Sequence, residues 1–86
     1  MNINETLKER GETYGKFSDY ANTSAQIKEV MDYKNNPNLN AVHQEALSMI
    51  VSKISRILNG DPNHADNWHD IAGYATLVEK EINEPF

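Results

Sequence analysis

One short segment of the 86-residue sequence combines bases, aromatic residues and glycines. It reads RGETYGKF and runs from Arg10 to Phe17. Tyr14 or Phe17 could stack on a nucleobase, while Arg10, Lys16 and backbone N–H groups near the glycines hold phosphate oxygens. Alternatively, the two aromatic residues close the end of a small helical bundle and the glycines only form turns. Arg10, Tyr14, Lys16 and Phe17 are therefore candidate nucleotide-binding residues.

A second candidate pair of bases lies in the sequence SKISRILNG. Lys53 and Arg56 are three residues apart, so on a helix they share one face, and serines alternate with them. Guanidinium and hydroxyl groups suit phosphate and ribose oxygens. Alternatively, the two bases form ion pairs with Asp66 and Asp70 of the following segment. The sequence leaves both interpretations open.

Asp66 and Asp70 also form a candidate metal pair, because a spacing of four residues puts both carboxylates on one side of a helix. Mg²⁺ sites often use one or two protein carboxylates together with substrate phosphates. Glu45, or a residue from a second subunit, would have to complete such a set. Alternatively, acids in the first turn of a helix only stabilise its positive end.

The other chemical signatures are missing from the sequence. It contains no GxSxG, no Walker glycine loop and no GxGxxG, so it offers no familiar nucleophile or phosphate loop. It has no cysteine, and its three histidines lack the spacing of a zinc site. Those histidines are His43, His64 and His69.

The elements that must position these residues are predicted to be four helices, since no segment alternates like a strand. A first short helix begins after Asn2 or Asn4 and ends before Gly11, a typical C-cap residue. A second helix starts after Ser18, its expected N-cap, and runs to about Lys34, where NNP stops it.

The two remaining helices are predicted to form a long antiparallel hairpin, over about 41–59 and 64–82. Apolar residues recur there at steps of three and four. Asn40 is the expected N-cap of the first, and Gly60 the expected C-cap with a positive φ. Gly73 costs about 1 kcal/mol relative to Ala inside a helix, which predicts close approach of another backbone there.

Composition limits the class of protein. With 86 residues the chain forms a single helical domain, 1–86. It has no apolar run that could span a membrane, and we expect it to be cytoplasmic. A net charge of −5 argues against binding of duplex DNA. A hairpin with short flanking helices buries little surface, so we expect a homo-oligomer, a dimer or larger.

The acidic residues concentrate in the last quarter of the chain. Residues 1–60 carry equal numbers of acids and bases, whereas residues 61–86 carry six acids and one base. Such a segment could bind a basic host protein through charge. An acidic interaction protein is therefore one alternative function.

Three blocks of the sequence resemble a family of small uncharacterised phage and prophage proteins. The blocks are ERGETYGKF, KISRILNGDPN and DNWHDIAGYATLVEK, and they span nearly the whole chain. The later half is similar, more distantly, to phage nucleotide-modification-associated domains and to all-α nucleoside triphosphate pyrophosphatases of the MazG type. Those enzymes hold Mg²⁺ with EExxE on one helix and ExxD on the next. Here only Glu45 and Asp70, with Asp66 as a substitute, match that pattern.

The resemblance implies an oligomeric nucleotide-binding scaffold with a depleted metal set. The leading hypothesis is a phage-encoded, non-catalytic protein that sequesters a phosphorylated nucleotide, such as a bacterial immune signal. Under this hypothesis no cofactor is needed. The alternative is a Mg²⁺-dependent pyrophosphatase, in which Glu45, Asp66 and Asp70 hold the metal.

Overall fold

The computed structural model describes residues 2–84, and Met1, Pro85 and Phe86 of the expected 1–86 domain lie outside this range. The described part is all-helical, as the sequence predicted, and contains no strand. Four α-helices follow one another, with a single turn of 3-10 helix, Tyr33–Asn35, after the second. They are α1 (Ile3–Tyr14), α2 (Phe17–Met31), α3 (Ala41–Asn59) and α4 (Ala65–Asn83).

The first helix begins as predicted but extends further. The Asn2 side chain accepts a hydrogen bond from the Glu5 backbone N–H at 2.9 Å and caps α1. The prediction of an end before Gly11 is wrong, because the helix continues through it to Tyr14. The break comes instead at Gly15, which has a φ of 85°. Most of the segment from Arg10 to Phe17 is therefore helical.

The second helix starts at Phe17 rather than after Ser18, and it ends three residues before Lys34. Its terminus is Asp32, the single non-glycine residue with positive φ (46°) in the described range. The left-handed conformation at Asp32 breaks the helix before the Asn-Asn-Pro segment does so. The chain then makes its 3-10 turn, where Tyr33 is buried.

Both long helices lie where periodicity placed them, to within one residue at each end. Asn40 caps α3 by accepting from the His43 N–H at 3.1 Å, and His43 Nδ1 accepts from the Asn40 N–H at 3.0 Å. The expected C-cap conformation after α3 differs. Gly60 has a φ of −127° rather than a positive one, and His64 precedes α4 without a side-chain cap. The close backbone approach predicted at Gly73 does not occur within one chain, since an added Cβ would meet no atom within 4 Å.

The third helix is the centre of the fold, since both α2 and α4 pack along it. Both helices of the α2–α3 pair bury a small polar side chain, Ser24 on α2 and Ser55 on α3. Asn59 donates through Nδ2 to Thr23 Oγ1 at 3.0 Å and to the Ser55 carbonyl at 2.8 Å. A polar hydrogen bond therefore links α2 to the end of α3.

The described hydrophobic core is small, with Tyr33, Ala46 and Val51 as its buried residues. The molecule is elongated, with principal extents of 43 × 26 × 22 Å. No helix between residues 2 and 84 combines the length and the apolar character needed to cross a bilayer. Large apolar side chains remain exposed on every helix, and they include Leu7, Phe17, Val30, Leu58, Trp68, Leu77 and Ile82.

Candidate functional site

Two guanidinium groups flank the aromatic ring of Tyr14 at the end of α1. The Arg56 Cζ atom lies 4.6 Å from the centre of the Tyr14 ring, and the Arg10 Cζ atom lies 5.3 Å from it. Arg56 also lies 5.5 Å from the ring centre of Tyr20 on α2. Such cation–π contacts contribute about 0.5–2 kcal/mol each. They bring α1, α2 and α3 together at one point.

An open cleft of about 310 Å³ adjoins this cluster. Its walls come from α1 and the beginning of α2. Phe17 is 72% exposed and packs edge-on against Tyr20, with ring centres 5.2 Å apart. The residues that line the cleft are Leu7, Arg10, Gly11, Tyr14, Gly15, Phe17 and Tyr20. We call it the aromatic cleft.

Two glycines allow the end of α1 to lie directly on the end of α3. A Cβ added at Gly60 would lie 2.6 Å from Tyr14 Cα, and one added at Gly15 would lie 2.6 Å from the Asn59 carbonyl carbon. The Asp61 N–H donates to the Thr13 carbonyl at 2.7 Å beside this contact. Because side chains would not fit there, backbone contact fixes the position of Tyr14 over α3.

Three side-chain nitrogen atoms of α3 and of the beginning of α4 are buried without a hydrogen-bond partner. They are Arg56 Nε, His64 Nε2 and Asn67 Nδ2. The His64 ring contacts the edge of Tyr14 with ring centres 5.4 Å apart, and the Asn67 N–H donates to the His64 carbonyl. Asn67 is only 1% exposed. A buried donor without an acceptor costs about 1–3 kcal/mol, so this region favours an additional acceptor.

The two bases predicted on α3 have different environments. Lys53 Nζ lies 3.1 Å from Asp70 Oδ2 on α4, so it forms the interhelical ion pair that the sequence left open. Arg56 forms no ion pair with Asp66 or with any other acid between residues 2 and 84. It stacks on the two tyrosines instead. Only Arg56 of this pair adjoins the aromatic cleft.

The alternative metal ligands are not brought together within one chain. Asp70 is paired with Lys53, and Asp66 lies 3.7 Å from His64 Nε2. Glu45 lies near the start of α3, beside a different hollow that includes Tyr33. Across the described part of the chain, no group of three His, Asp or Glu side chains is arranged to hold a metal ion.

The predicted binding residues therefore separate into three groups. Arg10, Tyr14 and Phe17 line the aromatic cleft, and Arg56 touches two of its aromatic rings. Lys16 is exposed and is the N-cap residue of α2, between Tyr14 and Phe17 in the chain. Lys53 lies apart, in its ion pair with α4.

Sequence reasoning did not assign three residues in or beside this cluster to binding, namely Tyr20, His64 and Asn67. Tyr20 follows Phe17 by three residues, so helical spacing was a signal that both rings share one face. Asn67 precedes Ile71 by four residues on the buried stripe of α4, and a polar residue on such a stripe signals a special environment. No comparable signal identified His64.

A family model described as a domain of unknown function (DUF6378) matches residues 3–82, so the chain belongs to this family. No curated protein and no solved structure matches this chain.

Proposed function

We propose that this DUF6378 protein binds a phosphorylated nucleotide in the aromatic cleft and holds it without cleaving it. The environment of Arg56 carries the proposal. Its guanidinium stacks on two cleft tyrosines, its Nε is buried without an acceptor, and no acid of residues 2–84 pairs with it. Acids outnumber bases 13 to 8 in the sequence, yet none neutralises this half-buried base. An anion from outside the chain would do so.

The aromatic wall of the cleft suits the nucleobase. Phe17 exposes most of its ring and Tyr20 supports it edge-on, so one face of Phe17 is available to a planar ligand. Stacking of a base on an aromatic side chain contributes about 1–3 kcal/mol and tolerates any base. A cleft of about 310 Å³ is at the lower end of the usual range for small-molecule sites.

The basic rim of the cleft suits the phosphates. Arg10 lies on the α1 side, and its guanidinium stacks on Tyr14 while its remaining N–H groups can donate to phosphate. Lys16 lies where α2 begins, and this N-cap makes no side-chain hydrogen bond to the helix. The first N–H groups of α2 point along the helix axis, so a phosphate there would meet donors and the positive end of the helix.

The positions of the carboxylates favour binding of the nucleotide without its hydrolysis. Hydrolysis through Mg²⁺ would need Glu45, Asp66 and Asp70, or acids of a second copy, to converge on the ligand, and these three do not converge within one chain. A binder of this kind lowers the free concentration of its nucleotide. The phage setting, with an immune-signalling nucleotide as the sequestered ligand, comes from the sequence resemblance. We also propose that the protein forms a homo-oligomer.

The direct test is isothermal titration calorimetry with a named set of ligands. The set comprises adenosine and guanosine mono-, di- and triphosphates, cyclic dinucleotides and the unphosphorylated nucleosides. We expect at least one phosphorylated ligand to bind and its nucleoside to bind far more weakly. Arg10→Ala should weaken binding by about 10- to 150-fold, the loss of one charge-assisted hydrogen bond. Lys8→Ala is the matched control, since Lys8 is an exposed base of α1 outside the cleft.

A second pair of variants tests the aromatic wall. Phe17→Ala should weaken binding at least fivefold, whereas Val30→Ala, which removes an exposed apolar side chain at the far end of α2, should not. Native mass spectrometry with Mg²⁺ then reports the mass of the bound ligand. An intact nucleotide agrees with the proposal, and a shortened one favours the pyrophosphatase. Absence of binding across the whole set would refute the site.

A further inference from the structure

The side of α1 that lines the aromatic cleft carries no acid. Leu7, Arg10 and Tyr14 are separated by three and four residues, so they share one side of the helix, and all three line the cleft. The acids of α1 line a separate hollow together with Lys8, and they are Glu5, Glu9 and Glu12. Arg10 is therefore the one charged residue that α1 contributes to the cleft.

The other polar side chains of the cleft are the hydroxyls of Tyr14 and Tyr20. No carboxylate or carboxamide side chain between residues 2 and 84 lines the cleft. Selection of one base depends on such groups, because an amide fits the edge of adenine and a carboxylate accepts from an exocyclic amino group. A tyrosine hydroxyl both donates and accepts, so it can bond to the amino group of adenine or to the carbonyl oxygen of guanine.

Phe17 supplies the exposed stacking surface of the cleft. Its ring is 72% exposed and meets Tyr20 edge-on. The Tyr14 ring already contacts the guanidinium groups of Arg10 and Arg56. The Tyr20 ring contacts Arg56 as well. The cleft volume of about 310 Å³ is also small for a ligand with two bases. A second base would therefore gain no stacking partner inside the cleft.

We infer that the aromatic cleft binds nucleotides with a single base and does not distinguish adenine from guanine. This inference rests on the proposed function and specifies its ligand class, nucleoside phosphates rather than cyclic dinucleotides. Arg10 is the one donor that could favour guanine, and the proposed function uses it for the phosphate. Recognition then comes from stacking of the base on Phe17 and from the phosphate, and both features are common to all nucleoside phosphates.

Calorimetric titration with ligands of equal phosphate number tests base selection. AMP and GMP should bind within about threefold of each other, and so should ATP and GTP, because stacking tolerates any base. Ribose 5-phosphate should bind about 5- to 150-fold more weakly than AMP, since it lacks the stacked base. Cyclic di-AMP should bind no more tightly than AMP, because its second base lies outside the cleft.

Variants of Phe17 show whether each ligand occupies the cleft. Phe17→Ala should weaken AMP and GMP by the same factor. Phe17→Tyr is the matched control, since it keeps the ring and places its hydroxyl at an exposed position, and it should bind both ligands as the wild-type protein does.

The outcomes separate this inference from the proposed function. A preference of about tenfold or more for one purine, lost in Phe17→Ala, would overturn the inference, since one specific base contact discriminates by that much. Binding of cyclic di-AMP about tenfold tighter than AMP, with the same dependence on Phe17, would also overturn it. Either result leaves the proposed function in place. If none of these nucleotides binds, or if Phe17→Ala weakens none of them, the proposed function fails and the inference fails with it.

Discussion

Replacing Gly60 by alanine should undock α1 from the end of α3. The new Cβ would lie 2.6 Å from Tyr14 Cα, so the two backbones must separate by about 1 Å to reach ordinary van der Waals contact. Overpacking of this kind costs about 1–3 kcal/mol. The same movement would break the 2.7 Å bond from the Asp61 N–H to the Thr13 carbonyl, a further loss of about 0.5–1.5 kcal/mol. We therefore expect Gly60→Ala to destabilise the docked α1 by about 2–4 kcal/mol.

Gly11→Ala is the matched control for this substitution. Gly11 lies inside α1 and an added Cβ would meet no atom within 4 Å, so alanine should stabilise the helix by about 1 kcal/mol. Urea unfolding followed by circular dichroism, at one protein concentration for all variants, measures the global free energy. Hydrogen exchange of the α1 amides measures docking directly, because α1 has no buried residue and can open by itself.

The two glycines should thus respond to the same substitution with opposite signs. Equal stability of Gly60→Ala and the wild-type protein, with unchanged exchange in α1, would contradict the backbone contact. If Gly60→Ala instead raised α1 exchange without changing the global free energy, α1 would dock as an independent unit. In that case ligand binding to the aromatic cleft should weaken in parallel.

Three further results are expected. A double-mutant cycle on Lys53 and Asp70 should give a coupling of about 0.2–1 kcal/mol that decreases in high salt, because Asp70 is partly exposed. Asn59→Ala removes donors to Thr23 and to the Ser55 carbonyl, and it should cost about 1–3 kcal/mol in chemical denaturation. Asn2→Ala should raise hydrogen exchange in the first turn of α1 by the equivalent of about 1 kcal/mol, with little change elsewhere.

The long helices could be predicted because their sequence carries the structural signal locally. Asn40 offers a capping side chain, and apolar residues follow at helical steps as far as Asn59. The extent of α1 could not be predicted in this way. Glycine at position 11 costs about 1 kcal/mol in a helix, and the contacts of Tyr14 with Arg10 and Arg56 together outweigh that cost. The contact with Arg56 depends on the position of α3, which sequence spacing does not give.

The candidate site was predictable only where its residues are neighbours in sequence. Arg10, Tyr14 and Phe17 are close along the chain, and the structure keeps them around one cleft. The environments of Lys53 and Arg56 depend on the rotation of α3 against α1 and α4. A different rotation of α3 would give both side chains other neighbours, and composition gives no information on that rotation. The role of Gly60 could not be predicted either, because its contact with Tyr14 depends on how α1 lies against α3.

The hydrogen bond from Asn59 to Thr23 has a consequence for alternative packings of the same helices. Ser24 and Ser55 are small, so packing at these two buried positions alone discriminates only weakly against a shift of one helical turn. A shifted pairing would break the hydrogen bond from the Asn59 amide to Thr23 Oγ1, whereas the bond to the Ser55 carbonyl lies within α3 and would remain. One polar pair thus makes a single alignment of α2 on α3 the most stable, as polar residues do in coiled-coil interfaces.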